Sequence, residues 1–317
     1  VKNGGKRIRP AILSWFCALN GENSKKALPA MAAVEIFHTW TLMHDDIIDR
    51  DITRRGAVTG HIKLAEYAKE HFSALGVNAD MFGTSMSLLG GDIQHAWSNH
   101  LLGMLAENPA MDLNVVLALL RRLNSYVTPL LISGEAIDVE FEYRDVVETP
   151  EVMKMLRLKT AVLLQFCAQA GTCIALNCSD FADERVIAAG EFALNAGMAF
   201  QLQDDILGIF SEEETLGKPV GTDLSAGKKT VLFLETLRRV GEGDKKVLLE
   251  TLGEKVLTNS RLLQIRDIMV SSGALDYLSE KIKDLIAEAK KNLQIFPDNE
   301  FKRLLKELAD FFIEREV

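Results

Sequence analysis

Helical periodicity dominates this chain. Apolar residues recur at three- and four-residue spacing through long stretches, few β-branched alternations compete with them, and only 7 prolines interrupt 317 residues. The pattern predicts an all-α fold, a single large bundle. Helices are expected at 8–19, 25–49, 61–75, 80–106, 111–143, 151–177, 183–210, 229–240, 244–251, 260–271, 274–293 and 298–315. A helix of about 25 residues spans roughly 37 Å, and long helices that are mostly apolar belong in a bundle with a buried central member. Ser24 and Asp183 are read as N-caps, Pro109, Pro150 and Pro297 fall at starts or breaks, and Pro129 should kink helix 111–143. No linker, low-complexity tract or sustained heptad divides the chain, so 1–317 is read as one domain. Its start at Val1, directly before a basic motif, carries the expectation that N-terminal residues are missing.

Charge limits what such a bundle can bind. With 36 Lys and Arg against 45 Asp and Glu the net charge is −9, so no broad basic field exists for nucleic acid or an anionic membrane surface. Any anionic ligand must be held locally, by a few basic residues or by metal ions. No apolar run is expected to reach the length of a membrane span, and residues 1–9 do not read as a signal peptide. Cys17, Cys167, Cys173 and Cys178 lack zinc-type spacing and are too few for a disulfide framework, which predicts buried thiols and a cytoplasmic location.

Two clusters carry chemistry. The apolar helix from His38 ends in Asp45, Asp46, Asp49 and Asp51, and Asp45 and Asp49, four residues apart, project from one face and can share a cation. Hard oxygen donors in this arrangement suit Mg²⁺, which also accepts phosphate oxygens. Acidic residues at a helix C-terminus oppose the macrodipole and need compensation. The second cluster, Gln201 to Gly208 with Asp204 and Asp205, ends another long apolar helix in the same way. Small basic groups supply the complement: Gly5 to Pro10, Arg54-Arg55-Gly56, Lys159-Thr160, and Gly217-Lys218-Pro219 through Lys228-Lys229-Thr230. Arg grips phosphate bidentately and Lys acts as a point charge, so these groups beside acidic clusters describe a site for more than one diphosphate. The spacing at Gly217-Lys218 is not that of a Walker loop.

In their order and spacing these motifs resemble the trans-type polyprenyl diphosphate synthases, the farnesyl and geranylgeranyl diphosphate synthase family, from Gly5 to about Thr230. The resemblance implies the isoprenoid synthase type of bundle, a single large all-α bundle of about 10–13 helices around a central cavity, and a Mg²⁺-dependent condensation of isopentenyl diphosphate with an allylic diphosphate. By that likeness Asp45, Asp49 and Asp204 bind the metal, three ions in all, with Asp46 and Asp205 in support. Arg54, Lys159, Thr160, Gln201, Lys218 and Lys228 hold the allylic diphosphate, and Lys159, Thr160, Gln201 and Lys218 are the catalytic set. Lys6, Arg9, His38 and Arg55 hold isopentenyl diphosphate. The chain departs from the family pattern at Gly208, where many members carry a third Asp, and at Glu135, where members often carry Gln before Asp138.

Competing readings are weaker. A terpene cyclase or head-to-head synthase needs no second diphosphate site. A di-iron protein fits Glu35-x-x-His38 but would need a second such motif, and a non-catalytic partner subunit should have lost Asp45, Asp49 and Asp204. In the family the residue five before the first Asp acts as a floor for the growing chain. Trp40 stands there, which points to a C20 product first and C15 second, in the manner of archaeal-type enzymes. Ideal helix geometry instead puts Thr41 below Asp45, so both are length-setting candidates. A homodimer or higher homo-oligomer is expected from the same resemblance.

Overall fold

The computed structural model describes residues 4–211, 220–254 and 256–314. The chain's contacts gather into two compact units, one drawn from Val1–Arg121 and Ala170–Asp180, the other from Arg122–Gln169 and Phe181–Val317.

The first unit contains α1 (Ile8–Leu19), α2 (Leu28–Ile48), a hairpin of β1 (Thr53–Arg54) and β2 (Ala57–Val58), α3 (Gly60–Phe72), α4 (Ala79–Gly103) and nearly all of α5 (Leu113–Arg122). α2 lies along α4, and α3 packs on the same helix. Gly83 makes the second contact possible, because a Cβ there would overlap the His61 carbonyl and Ala65. Ala30, Ala33, Val34 and Phe37 put the buried face of α2 into this core with Leu13, Phe16 and Leu102. The expected Ser24 cap is corrected: the side chain of Asn23 accepts from Lys25 N at 2.9 Å, and Ser24 opens a short 3-10 turn ahead of α2. Asn23 has a carbonyl oxygen that reaches the N–H two residues on, so it takes the cap one position earlier.

The second unit contains α6 (Thr128–Tyr143), α7 (Thr149–Leu156), the first part of α8 (Val162–Leu176), α9 (Glu184–Phe210), α10 (Thr222–Ser225), α11 (Val231–Arg239), α12 (Glu242–Thr251), α13 (Asn259–Ser271), α14 (Ala274–Asn292) and α15 (Glu300–Ile313). α9 is its buried centre, with 17 of 27 residues buried. Asp183 caps it as expected, accepting from Arg185 N at 2.9 Å and Val186 N at 3.4 Å. Small residues let neighbours approach: a Cβ at Gly197 would stand 2.8 Å from Leu164 Cδ1. α14 packs along α9, and α15 joins it.

Two helices expected to be continuous are each interrupted by a π turn, Leu123–Val127 between α5 and α6 and Arg157–Ala161 between α7 and α8. The first lies just ahead of Pro129, which lacks an N–H to continue the ladder, so the break expected at the proline appears as a widened turn before it. The joined stretches Leu113–Tyr143 and Thr149–Leu176 are long and apolar enough, by length and composition, to cross a membrane, which corrects the expectation of no such run. In the second, 78% of its most apolar 18-residue window is buried inside the protein as core, and the first carries Glu135 and Asp138 in ion pairs. Cys17, Cys167 and Cys173 are buried thiols as expected, whereas Cys178 is half-buried. Burial pushes the Cys17 thiol up to about 11.

Candidate active site

In the first unit α2 delivers its acids as the spacing predicts. One carboxylate oxygen of Asp45 and one of Asp49 lie within 4.8 Å of each other, close enough to share a hard cation. Asp46 points inward and is buried. Arg54 compensates this acidic helix end: its Nε donates to Asp46, and its Nη2 donates to Asp45 Oδ2 at 2.7 Å and to Asp51 Oδ2 at 3.3 Å. Burial pushes Asp46 up from the ordinary carboxylate range, and Arg54 opposes that rise. Burial also works against the Arg54 guanidinium, but the bond to Asp46 and the charges of Asp45, Asp46 and Asp51 hold its pKa above the ordinary value. The hairpin presents this arginine. Thr53 pairs with Val58 and Arg54 with Ala57, which leaves Arg55 and Gly56 as the two turn residues, at φ 52° and 70°. Such a turn requires both in the left-handed region, and Arg55, being no glycine, is strained there.

Basic residues converge around His38, seven residues before Asp45. Its imidazole is held down at about 2, first by burial and then by Arg9, Arg55, Arg54 and Arg7. A neutral imidazole beside guanidinium groups is a place where an anion relieves repulsion. Arg55 Nη1 donates to Gly4 O at 2.7 Å, and a Cβ on Gly5 would come 2.6 Å from the same nitrogen, so the glycine segment before α1 lies against the guanidinium. Lys6 follows on that segment and is exposed. Arg9, His38 and Arg55 are thus brought together, with Lys6 adjoining them in sequence. Glu35 pairs with Arg7, and among the described residues neither Glu35 nor His38 belongs to a group of three or more ligands placed to hold an ion, the arrangement a di-iron reading needs.

Trp40 is buried, with its ring edge-to-face on Phe37 at 4.9 Å and 74°, tilted over His95 at 4.5 Å, and 5.8 Å from His44. Its indole N–H has no hydrogen-bond partner among the described residues. Thr41 is half-buried and donates its hydroxyl to His38 O at 2.8 Å.

The second unit holds a cavity of about 370 Å³ lined by Asp138, Glu142, Lys159, Thr160, Gln201, Asp204, Asp205, Asp223, Lys228, Lys229 and Thr230, with Phe141, Val152, Met155 and Leu156 as its apolar wall. Lys159 and Thr160 belong to the π turn, which turns them into the cavity. Asp205 Oδ2 accepts from Val231 N at 3.3 Å, the first residue of α11, and so is tied to the cavity rim. Lys229 donates to Phe141 O at 3.0 Å, and Thr230 caps α11 through Phe233 N. Lys218 lies outside the described residues.

Residues not singled out as site residues also line this cavity or support its lining. At Gly208, where a third acid is expected by resemblance, a Cβ would stand 3.1 Å from Asp223 Oδ2. Gly221, at φ 77°, donates its N–H to Gly208 O at 2.9 Å and turns the chain into α10, which carries that carboxylate. Asp138 and Glu135 hold Lys159 Nζ at 2.7 and 2.9 Å. The visible signal for these two was an acid pair three residues apart after a helical glycine.

Comparison with known proteins matches residues 1–269 to the polyprenyl synthetase family model. The chain is 34% identical to a geranylgeranyl diphosphate synthase of Sulfolobus acidocaldarius over 99% of its length and 88% of that protein's. It is 32% identical to a geranylfarnesyl diphosphate synthase of Aeropyrum pernix, over 99% of this chain and 92% of that one. Among solved structures it resembles a geranylgeranyl pyrophosphate synthase of Corynebacterium glutamicum complexed with isoprenyl diphosphate and magnesium, at a TM-score of 0.82 and 27% identity, covering 99% of this chain and 88% of that one.

Proposed function

This chain belongs to the polyprenyl synthetase family, and on that premise we propose that it is a Mg²⁺-dependent prenyltransferase that condenses isopentenyl diphosphate with an allylic diphosphate to make geranylgeranyl diphosphate. The observation that carries this reading is the cavity of the second unit, which Asp204 and Asp205 line together with Lys159 and Lys228. Acids and ammonium groups together suit an anion that arrives with divalent cations, and neither an apolar ligand nor a bare anion needs both.

Asp45, Asp49 and Asp204 would hold Mg²⁺, three ions in all, with Asp46 and Asp205 anchored behind them by Arg54 and by α11. The donors fit: they are hard oxygens, the two in the first unit lie within reach of one ion, and a guanidinium already rests on Asp45 as a cation should. When bound, Mg²⁺ neutralises the diphosphate and stabilises it as a leaving group. Lys159, Thr160, Gln201, Lys218, Lys228 and Arg54 bind and orient the allylic diphosphate. Lys6, Arg9, His38 and Arg55 bind that of isopentenyl diphosphate. Charge develops on the allylic diphosphate as its C–O bond breaks, so ammonium groups fixed on it stabilise the transition state more than the ground state. The allyl cation is attacked by the homoallylic double bond, and the proton then lost goes to the departing diphosphate. Apolar residues such as Phe141 and Met155 keep water from the cation.

The reading includes self-association and a cytoplasmic setting, for which the free thiols are suited. It is tested by incubating purified protein with isopentenyl diphosphate, Mg²⁺ and each allylic starter, then separating the dephosphorylated products. A dominant C20 alcohol is expected. No condensation from any starter overturns the activity, and a dominant C15 or C25 product overturns the length.

A further inference from the structure

The environment of Lys159 goes beyond what a diphosphate ligand needs. A Cβ on Gly134 would overlap the backbone N of Lys159 and come 2.8 Å from the carbonyl carbon of Leu158, so α6 lies directly against the π turn. Glu135 and Asp138, one helical turn apart on α6, both reach the Lys159 ammonium, at 2.9 and 2.7 Å. All three side chains are mostly buried, at 17 to 21% exposure, so water screens them only in part. One ammonium is shared by two carboxylates, so each competes for it with an arriving anion. Asp138 lines the cavity, whereas Glu135 stands outside the cavity lining.

Building on the function above, we propose that Glu135 is a positioning residue that holds Lys159 back from the allylic diphosphate. It competes with the substrate for the ammonium. Lys159 is handed to the diphosphate when that anion enters with its cations, and is taken back as product leaves. The hold acts on substrate and product alike, so it weakens uniform binding and favours release without adding to the chemical step. A simpler alternative is an ion-pair clamp that only fastens α6 to the π turn.

Glu135→Gln separates the two, since it keeps the size and an oxygen acceptor for Nζ but removes the charge. Affinity for inorganic pyrophosphate in Mg²⁺ buffer, read by calorimetry, should tighten by about fivefold. The KM for the allylic substrate should fall by a similar factor, with kcat not raised and the KM for isopentenyl diphosphate unchanged. Glu135→Asp, which keeps the charge, should retain wild-type affinity, and circular dichroism confirms that both variants fold. Unchanged pyrophosphate affinity in Glu135→Gln leaves a clamp and overturns the proposal, as does weaker binding, which would put Glu135 on the metal side. Wild-type protein that binds no pyrophosphate overturns the diphosphate reading itself, and this proposal with it.

Discussion

Trp40 has Phe37, His44 and His95 around it, so its indole is already a packed wall. Replacing it with Ala removes the whole wall, at a cost of about 3 to 5 kcal/mol if nothing refills the space. If the wall is the floor of the prenyl channel, a longer chain refills it, each buried CH₂ gaining about 0.8 kcal/mol. Trp40→Ala is therefore expected to lower the melting temperature and to shift products by at least one five-carbon unit. An unchanged product distribution from the folded variant makes Trp40 plain core. His38 gives a pH signature. Its folded pKa, about 2, lies below the ordinary 6.5, so between those values the unfolded chain binds the extra proton. The stability this site contributes is fully present above about 6.5 and is lost as pH falls toward 2. NMR should show a neutral imidazole at neutral and mildly acidic pH, with pyrophosphate raising its pKa. Titration of His38 near 6.5 in ligand-free protein would remove it from the guanidinium cluster. At this scale the sequence was readable where chemistry sits in contiguous motifs, as at Asp45 and Asp49. It marked Arg54 as a basic residue but was silent on its bonds to Asp45 and Asp46, which depend on a two-residue turn, and on the approach of Asp223 to Gly208 through the bend at Gly221.

Elements repeat this division. The starts and ends of α1, α9 and α14 follow from apolar period, with the Asp183 cap marking the start of α9, and the observed bounds lie within a residue or two of those expected. What period could not show is the change of hydrogen-bond register inside a helix, because a π turn adds only one residue per turn and leaves the apolar pattern almost intact. The hairpin at Thr53–Val58 was equally hidden, being two residues per strand. These irregular pieces carry Lys159, Thr160, Arg54 and Arg55, so the elements that escape periodicity are the ones that aim side chains. Gly134→Ala tests the tightest of these contacts. The added methyl overlaps Lys159 N, and α6 must move off the π turn, at about 1 to 3 kcal/mol. The variant should melt lower and show a raised KM for the allylic substrate, with the KM for isopentenyl diphosphate unchanged. A change in isopentenyl diphosphate affinity alone would contradict the placing of Lys159.

For the whole molecule the governing quantity is charge. A chain of net charge −9 repels a diphosphate at long range, and two of the basic residues assigned to the diphosphates are already engaged, Arg54 on Asp45 and Asp46 and Lys159 on Glu135 and Asp138. Divalent cations must then supply the missing attraction, and they do so only by displacing or joining those internal cations. Mg²⁺ without a diphosphate has to compete with Arg54 for Asp45 and gains little. On the proposed reading, Mg²⁺ with pyrophosphate would offer each of these internal cations a new anionic partner, and the exchange would become favourable. Thermal melts should therefore show a small shift with Mg²⁺ alone, none with pyrophosphate in EDTA, and a shift larger than the sum of the two when both are present. Condensation should stop in EDTA and return with excess Mg²⁺. Pyrophosphate that binds and stabilises the protein equally well in EDTA would mean that the lysines and arginines suffice on their own, and the acidic helix ends of α2 and α9 would lose their assigned role.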